Sequence, residues 1–595
     1  MNTQLLSGYD TYIIFGAGEM GRQAFRHLRS EGFEAKCFSD NDKLKWETEI
    51  EGLPVASPDA LPQIVSEEKT LVIIASGYSM HAVSAQMEEM NIPYVFYSMP
   101  VFVEITSLCN QKCTFCPYEY IERTKGTLDW ELAKSFLYDI TSDKSNVLYP
   151  VIYPHIMGEP LLCKYFFDFL DLCKELNLYV VVVTNFALMD EKMQERILTN
   201  YNNLDIILSL QGPTEKVFHW RKEPKLTYKQ WIDRMFAVID SKFKYGFKGQ
   251  IQISTIRTDL ANDYLICSEE SLNVFQWFSS IEEFRQWKQE FGQRCMELAT
   301  SVKRKYPENY ERLSNEELQQ PIEHYYKKFC VVRELKKWVE ADGPIQFEFL
   351  PNVHIYAKKF GLWGSEKFFK SLMPDDKYLY WEENFNLYGF QCGNFGVGVL
   401  SSGEIVVCPV DNEAEYVTAD LRLGEKYTDP STGKKQRMLR DDLSLSSICR
   451  RCTGRALVFD KAELNKKTQE LTHYGIRWHA KRENDSGEVC RASCELSSIF
   501  AFPRIDASLL TLDIASLQDK KQFTLIKILS YDDETRLFTE RGNYSIQLKP
   551  DERTSLSVPY EFEKGKLHRI DFLTATQSID DKNIGVAVYS ACLQV

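Results

Sequence analysis

Cys109-Asn110-Gln111-Lys112-Cys113-Thr114-Phe115-Cys116 is the stretch from which the rest of the chain is read. Three cysteines fall within these eight residues, and the apolar run Val101-Phe102-Val103-Glu104-Ile105 leads straight into them. The pattern predicts a loop that leaves a buried strand. Three thiolates can hold three irons of a [4Fe-4S] cube and leave the fourth iron without a protein ligand, whereas such cubes usually have four cysteines. Two plainer readings compete. A structural zinc site wants four ligands, and no histidine stands nearby. Free cysteines also pack as small hydrophobes.

With an aromatic residue before its last cysteine, this C-x3-C-x2-C stretch resembles the cluster loop of the radical S-adenosylmethionine (radical SAM) superfamily. The resemblance implies that Cys109, Cys113 and Cys116 carry a [4Fe-4S] cluster and that SAM chelates the open iron. Reductive cleavage would then give methionine and a 5′-deoxyadenosyl radical. Further matches lie downstream. A strand predicted over 150–156 runs into Met157-Gly158-Glu159-Pro160, similar to the family's G-G-E-P with methionine at the first place. Strands over 179–183 and 204–208 end in Thr184-Asn185-Phe186 and Ser209-Leu210-Gln211-Gly212, the latter similar to the family's Ser-x-Asp-Gly. The resemblance makes Phe115, Gly158, Glu159, Asn185 and Ser209 SAM-binding residues. For Asn185 and Ser209 ordinary strand-end hydrogen bonding is the alternative.

A fifth strand is expected over 250–256 and a sixth over 344–350 (PIQFEFL), after a charged helical insertion at about 260–343. Strands alternating with helices give a partial (β/α)6 barrel over 99–356, with ligand groups at the carboxyl ends of the strands. Cys163, Cys173, Cys267, Cys295 and Cys330 have no ligand spacing and read as packed or bystander thiols.

Ahead of the barrel, residues 1–98 read as a Rossmann-like unit. The strand Tyr12-Ile13-Ile14-Phe15 runs into Gly16-Ala17-Gly18-Glu19-Met20-Gly21 and a helix, and a second strand ends near Asp40. In that context G-x-G-x-x-G is a nucleotide fingerprint, with Gly16, Gly18 and Gly21 shaping the turn and Asp40 placed for a ribose hydroxyl. The unit resembles the nucleotide-binding domains that precede sugar acyltransferases, on its G-A-G-x-x-G-R-x-A start and on Gly52-Leu53-Pro54-Val55. The resemblance favours a nucleotide or nucleotide-sugar over a redox NAD. A degenerate fold that binds nothing is the competing reading.

Behind the barrel, Cys392 is followed by Gly403, Cys408 and the pair Cys449-Arg450-Arg451-Cys452. This C-x10-G-x4-C and C-x2-C pattern is similar to the SPASM domain appended to many radical SAM enzymes. It implies one auxiliary [4Fe-4S] cluster on Cys392, Cys408, Cys449 and Cys452, in a domain over 357–499. A zinc ribbon is the alternative. Residues 500–595 turn strand-rich and predict a β-sandwich, with a hairpin turn at Glu540-Arg541-Gly542-Asn543. The fold class expected is therefore α/β multidomain with a C-terminal all-β domain.

Across 595 residues, 71 Lys and Arg against 85 Asp and Glu leave a net charge of −14, which argues against nucleic acid or an anionic membrane as main partner. The first apolar run is too short for a signal peptide, and no run is long enough to span a membrane. Sixteen cysteines without an export signal point to a reducing, cytoplasmic setting where clustered thiols bind metal. The expectation is an enzyme with SAM and two [4Fe-4S] clusters acting on a small molecule such as a nucleotide-sugar, fed by flavodoxin or ferredoxin. A peptide or protein maturase and a non-catalytic metal-binding scaffold are the alternatives.

Overall fold

The computed structural model describes the chain apart from 258–264, 267–280, 316–346, 360–364, 372–376, 384–391, 461–467, 475–481 and 484–488, and from shorter stretches of one to four residues. The chain divides into two compact units. The first comprises Met1–Leu260, Gln276–Phe368 and Phe385–Cys452; the second comprises Ala261–Phe275, Phe369–Asn384 and Thr453–Val595.

The first unit is a mixed α/β body on a parallel sheet. Its N-terminal part runs β1 (Thr11–Phe15), α1 (Glu19–Ser30), β2 (Ala35–Ser39), β3 (Leu53–Ala56), β4 (Thr70–Ile74), α2 (Met80–Glu89) and β5 (Tyr94–Val103). The strands pair in parallel in the order β3-β2-β1-β4-β5. β1 is buried on both sides, as a continuous apolar strand should be when helices cover both faces. Tyr12 and Ile14 pack with Met20, Ala24 and Leu28 of α1, while Ile13 and Phe15 pack with Met80, Val83 and Met87 of α2.

β5 does not end this sheet. Its first residues pair with β4, and its later residues pair with β6 (Val147–Tyr153). The sheet then continues in parallel through β7 (Tyr179–Thr184), β8 (Leu204–Gln211) and β9 (Ile251–Arg257). The helices α3 (Trp130–Ile140), α4 (Phe166–Glu175), α5 (Glu191–Asn200) and α6 (Tyr228–Tyr245) alternate with these strands. The boundary expected at residue 98 thus falls inside one strand that serves both parts.

The sixth parallel strand differs from expectation. Residues Phe347–Leu350 form β10, which pairs antiparallel with β11 (Val353–Lys359), and β11 is the strand parallel to β9. The segment expected as the sixth strand is therefore the outer arm of a hairpin at the sheet edge. The described part of the insertion includes α7 (Ile281–Lys305) and α8 (Pro307–Asn315); Trp287, Phe291, Cys295 and Val302 of α7 join the barrel core. Cys163, Cys173 and Cys295 are buried thiols, and Cys267 and Cys330 lie outside the described residues.

The four-cysteine segment is built onto the same sheet. β12 (Val397–Val399) pairs in parallel with residues Val101 to Val103 of β5, and β13 (Glu404–Val406) and β14 (Val417–Asp420) extend it antiparallel. After α9 (Pro430–Asp441), α10 (Ser447–Cys452) carries the last cysteine pair.

Among its described residues the second unit holds two large antiparallel sheets, beside a three-stranded sheet and a two-stranded hairpin. One includes β15 (Val489–Ala492), β17 (Ala507–Ala515), β20 (Arg553–Phe562) and β22 (Ala587–Gln594). The other includes β16 (Leu496–Ala501), β18 (Gln522–Asp532), β19 (Leu537–Leu548) and β21 (His568–Thr574). Leu510, Leu512, Ile526, Ile528, Ile570, Phe572 and Val558 share one core, as the inner faces of a sandwich do. Strands join these sheets from Thr468 onward, upstream of residue 500. The hairpin turn expected at residues 540–543 is absent: these residues lie within β19, where the register slips between Glu540 and Gly542 opposite Leu529 and Ile528. Glycine there marks a bulge rather than a turn.

Candidate functional site

The loop after β5 carries the three cysteines, all half-buried. Cys109 N donates to the Tyr118 hydroxyl at 3.2 Å, and Cys116 N donates to Cys113 O at 3.1 Å. The Cys113 thiol donates to Gln111 Oε1 at 3.6 Å. The Tyr118 hydroxyl has its pKa raised, first by burial and then by the charges of Cys109, Glu119 and Cys116, while its bond from Cys109 N acts the other way. Both outer cysteines thus act on one side chain. Phe115 lies outside the described residues.

The Gly-Glu-Pro bend packs directly on this loop. Gly158 has φ +83°, and a Cβ there would come 2.6 Å from Thr106 O and 2.8 Å from Leu108 O. Only glycine allows that approach. Glu159 N then donates to Leu108 O at 2.8 Å. Met157, which replaces the expected glycine, is buried with Ile121, Ile156, Leu400 and Val406, so the bend accommodates it.

The Glu159 side chain is almost fully buried and turns toward the next strand end. It accepts from Leu161 N at 3.2 Å, from Thr184 Oγ1 at 2.6 Å and from Asn185 N at 2.7 Å. Asn185 in turn donates from Nδ2 to Asn110 Oδ1 at 2.8 Å. The ends of β6 and β7 are thereby bonded to the cysteine loop. Ser209 is buried at the end of β8, opposite Ser254 of β9, and the register shifts there between Ser209 and Gln211. All four positions lie at the carboxyl ends of parallel strands, the end that carries ligands in such sheets.

Residues 103–253 match the family model described as Radical SAM superfamily. The chain carries a radical SAM domain. No curated protein matches the chain. Among solved structures, Streptococcus suis SuiB bound to S-adenosylmethionine is similar at 16% identity, over 62% of this chain and 76% of that one, with a TM-score of 0.32. BtrN in complex with AdoMet and 2-DOIA is similar at 13% identity, over 60% and 92%, with a TM-score of 0.27. UDP-D-quinovosamine 4-dehydrogenase from Vibrio fischeri is similar at 21% identity, over 15% and 79%, with a TM-score of 0.14.

A radical SAM domain implies an enzyme that uses SAM and a [4Fe-4S] cluster. Among the described residues no three His, Cys, Asp or Glu side chains already meet the geometry of a metal site. The chemistry of the loop nevertheless fits a cluster: three thiols within eight residues, and a buried Asn110 Nδ2 with no acceptor among the described residues. Cluster sulfurs are acceptors with nothing to donate.

In the four-cysteine segment Cys392, Cys408 and Cys449 pack against Val407, Leu439, Leu443 and Tyr416. Burial pushes the Cys408 thiol well above its ordinary value, with Cys392, Cys452 and Cys449 adding to the rise and the Val410 N–H opposing it. Cys449 is pushed up to about 12, chiefly by burial, with Cys392, Cys452 and Asp411 adding and the Ser446 hydroxyl opposing. Cys452 is exposed and still lies in the field of Cys392. The four thiols therefore stand in one another's field, an arrangement a cation would relieve. Asn412 Nδ2, in the segment following Cys408, is likewise buried without an acceptor among the described residues.

Sequence reading missed the residues that hold these loops together. Glu104 is fully buried and accepts from Arg123 Nη2 at 2.6 Å, from Met157 N at 3.0 Å and from Ser401 N at 2.9 Å. Arg123 also donates from Nη1 to Ser401 Oγ at 3.1 Å and from Nε to Asn412 O. A lone acid inside the apolar run before Cys109 was the available signal, since a buried carboxylate needs partners.

In the glycine-rich turn, a Cβ on Gly16 would lie 2.3 Å from Ala75 O, and one on Gly21 would lie 1.8 Å from Gly16 O. Gly18 is different: no atom of the described residues lies within 4 Å of its Cβ position. Asp40 accepts from Ala17 N at 2.8 Å, Asp42 N at 2.9 Å and Lys45 Nζ at 2.9 Å. Burial raises its pKa, but the bonds from Lys45, Asp42 and Ala17 outweigh that and hold the carboxyl below its usual range. Asp40 thus braces the glycine turn. Among the described residues no helix is long and apolar enough to cross a membrane.

Proposed function

We propose that the protein is a radical SAM enzyme in which Cys109, Cys113 and Cys116 hold the [4Fe-4S] cluster and Gly158, Asn185 and Ser209 line the SAM site. Phe115 completes that site, while Glu159 orders it from behind. When bound, the cluster and SAM supply a 5′-deoxyadenosyl radical that removes a hydrogen atom from substrate. The observation that carries the reading is the contact of the Gly158 bend with Leu108 O, joined by the Asn185 bond to Asn110. Gly158 lets the bend close on the cysteine loop, and Asn185 fixes that loop through Asn110; a glycine bend of this kind presents backbone carbonyls as acceptors for an ammonium group.

We read Cys392, Cys408, Cys449 and Cys452 as an auxiliary [4Fe-4S] site, with the Rossmann-like part, the barrel, the auxiliary segment and the β-sandwich as functional domains. The substrate is a small molecule of the nucleotide-sugar class. Its support is that no described residue crowds Gly18, so that a phosphate can approach the backbone N–H groups at the start of α1. An electron donor such as flavodoxin or ferredoxin and a cytoplasmic setting belong to the same reading. The test is anaerobic incubation with SAM, dithionite and nucleotide-sugars, following 5′-deoxyadenosine by chromatography. Stimulation by a nucleotide-sugar supports the substrate class; stimulation by peptides alone replaces it with the maturase reading.

A further inference from the structure

Asn185 fixes which way Asn110 faces. Asn185 Oδ1 accepts from Ala187 N at 3.1 Å, so its amino group points the other way and donates to Asn110 Oδ1 at 2.8 Å. Asn110 must then direct its own amino group away from Asn185, because one end of a planar amide carries the oxygen and the other the N–H groups. That Nδ2 is buried and has no acceptor among the described residues. Fully buried N–H groups without partners are rare and costly. The surrounding polar groups are bonded: Glu159 holds Thr184 and Asn185, and Cys109 N is bonded to Tyr118.

We propose that Asn110 Nδ2 donates a hydrogen bond to a sulfur of the cluster on Cys109, Cys113 and Cys116, and so sets its reduction potential. The inference rests on the radical SAM reading of those three cysteines. Asn110 follows Cys109 directly, and its carbonyl end is anchored through Asn185 to Ala187 and to the Glu159 carboxylate. The donor is therefore held in place before any cluster is present. Sulfides and thiolates offer only acceptor sites. A hydrogen bond to them stabilises the more negative, reduced form and raises the potential.

The test compares wild type with Asn110→Leu, which keeps the volume and removes the donor. Both are loaded with iron and sulfide anaerobically, without SAM, and titrated potentiometrically by EPR. The expected result is a lower midpoint potential in the variant. In wild type labelled with 15N-asparagine, pulsed EPR of the reduced cluster should detect nitrogen coupling. Unchanged potential together with no 15N coupling overturns the proposal. So does an unchanged potential with SAM affinity reduced tenfold or more, which would make the SAM carboxylate the acceptor. Should the variant fail to load, the labelled wild type decides alone. Wild type that takes up no cluster at all would instead refute the radical SAM reading and the inference with it, and the iron count separates that case.

Discussion

The Arg123 guanidinium lies 2.6 Å from the Glu104 carboxylate, and the pair is buried where three loops meet. Glu104 stands at the end of β5, five residues before Cys109, and also holds Met157 N and Ser401 N. One ion pair thus ties the cysteine loop, the Gly-Glu-Pro bend and the hairpin that leads to Cys408.

A buried charge that loses its partner is far costlier than a buried pair exchanged for apolar groups. Arg123→Met should therefore destabilise the first unit by about 3–5 kcal/mol. The double variant Glu104→Gln/Arg123→Met should recover part of that loss, because no charge is left unpaired. Denaturant unfolding under anaerobic conditions reads the difference. A double variant weaker than Arg123→Met would contradict this account of the pair.

Gly158 is constrained twice, by its positive φ and by backbone atoms under 3 Å from a Cβ position. Gly158→Ala should lose stability by about 1–3 kcal/mol through local strain. It should also weaken SAM binding at least tenfold, because the bend would be lifted off Leu108. Equilibrium binding of SAM to the cluster-loaded variant is the measurement, and undiminished affinity would remove Gly158 from the site.

Gly18 makes the opposite prediction. Its φ of −107° suits any residue, and no described residue lies within 4 Å of its Cβ position. Gly18→Val should leave the ligand-free melting temperature within a degree or two of wild type. It should abolish the stabilisation that a bound nucleotide gives by favouring the folded state. If wild type shows no nucleotide-dependent shift with any nucleotide-sugar, the turn is structural only.

In the sandwich, His568 is buried between Tyr560 and Phe562, and neither ring nitrogen has a hydrogen-bond partner among the described residues. Burial, with Lys566 adding and Glu563 opposing, pushes its imidazole down to about 4. The unfolded chain, with an ordinary value near ~6.5, binds the proton first as pH falls. Stability from this group is thus complete above ~6.5 and lost between there and pH 4, up to about 3 kcal/mol. His568→Phe should flatten the difference in unfolding free energy between pH 7 and 4.5. An unchanged slope would mean that His568 does not titrate in that window.

What could be read from sequence was local chemistry in fixed spacing. Cys109, Cys113 and Cys116, the Gly158 bend and the glycine turn are short patterns whose geometry follows from the backbone they require. Long-range pairing was harder to see. Residues 344–350 are richer in apolar character than Val353–Lys359, yet the latter is the parallel strand, because edge position and crossover length decide partners. The boundary expected at residue 98 splits β5, which runs on through Pro100 although proline is disfavoured in a central strand. Pro100 falls between the residues paired with β4 and those paired with β12, where β5 has one neighbouring strand and a missing N–H is tolerated. The Glu104–Arg123 pair left only an acid in an apolar run, with nothing to name its partner.

The central claim is tested most directly on anaerobically reconstituted protein, by counting iron and sulfide and then adding dithionite and SAM. The account predicts about eight irons per chain, in two four-iron clusters, and 5′-deoxyadenosine formed by wild type but not by Cys113→Ala. Bound zinc in place of iron, with SAM left intact by wild type, would contradict it and leave a metal-binding scaffold.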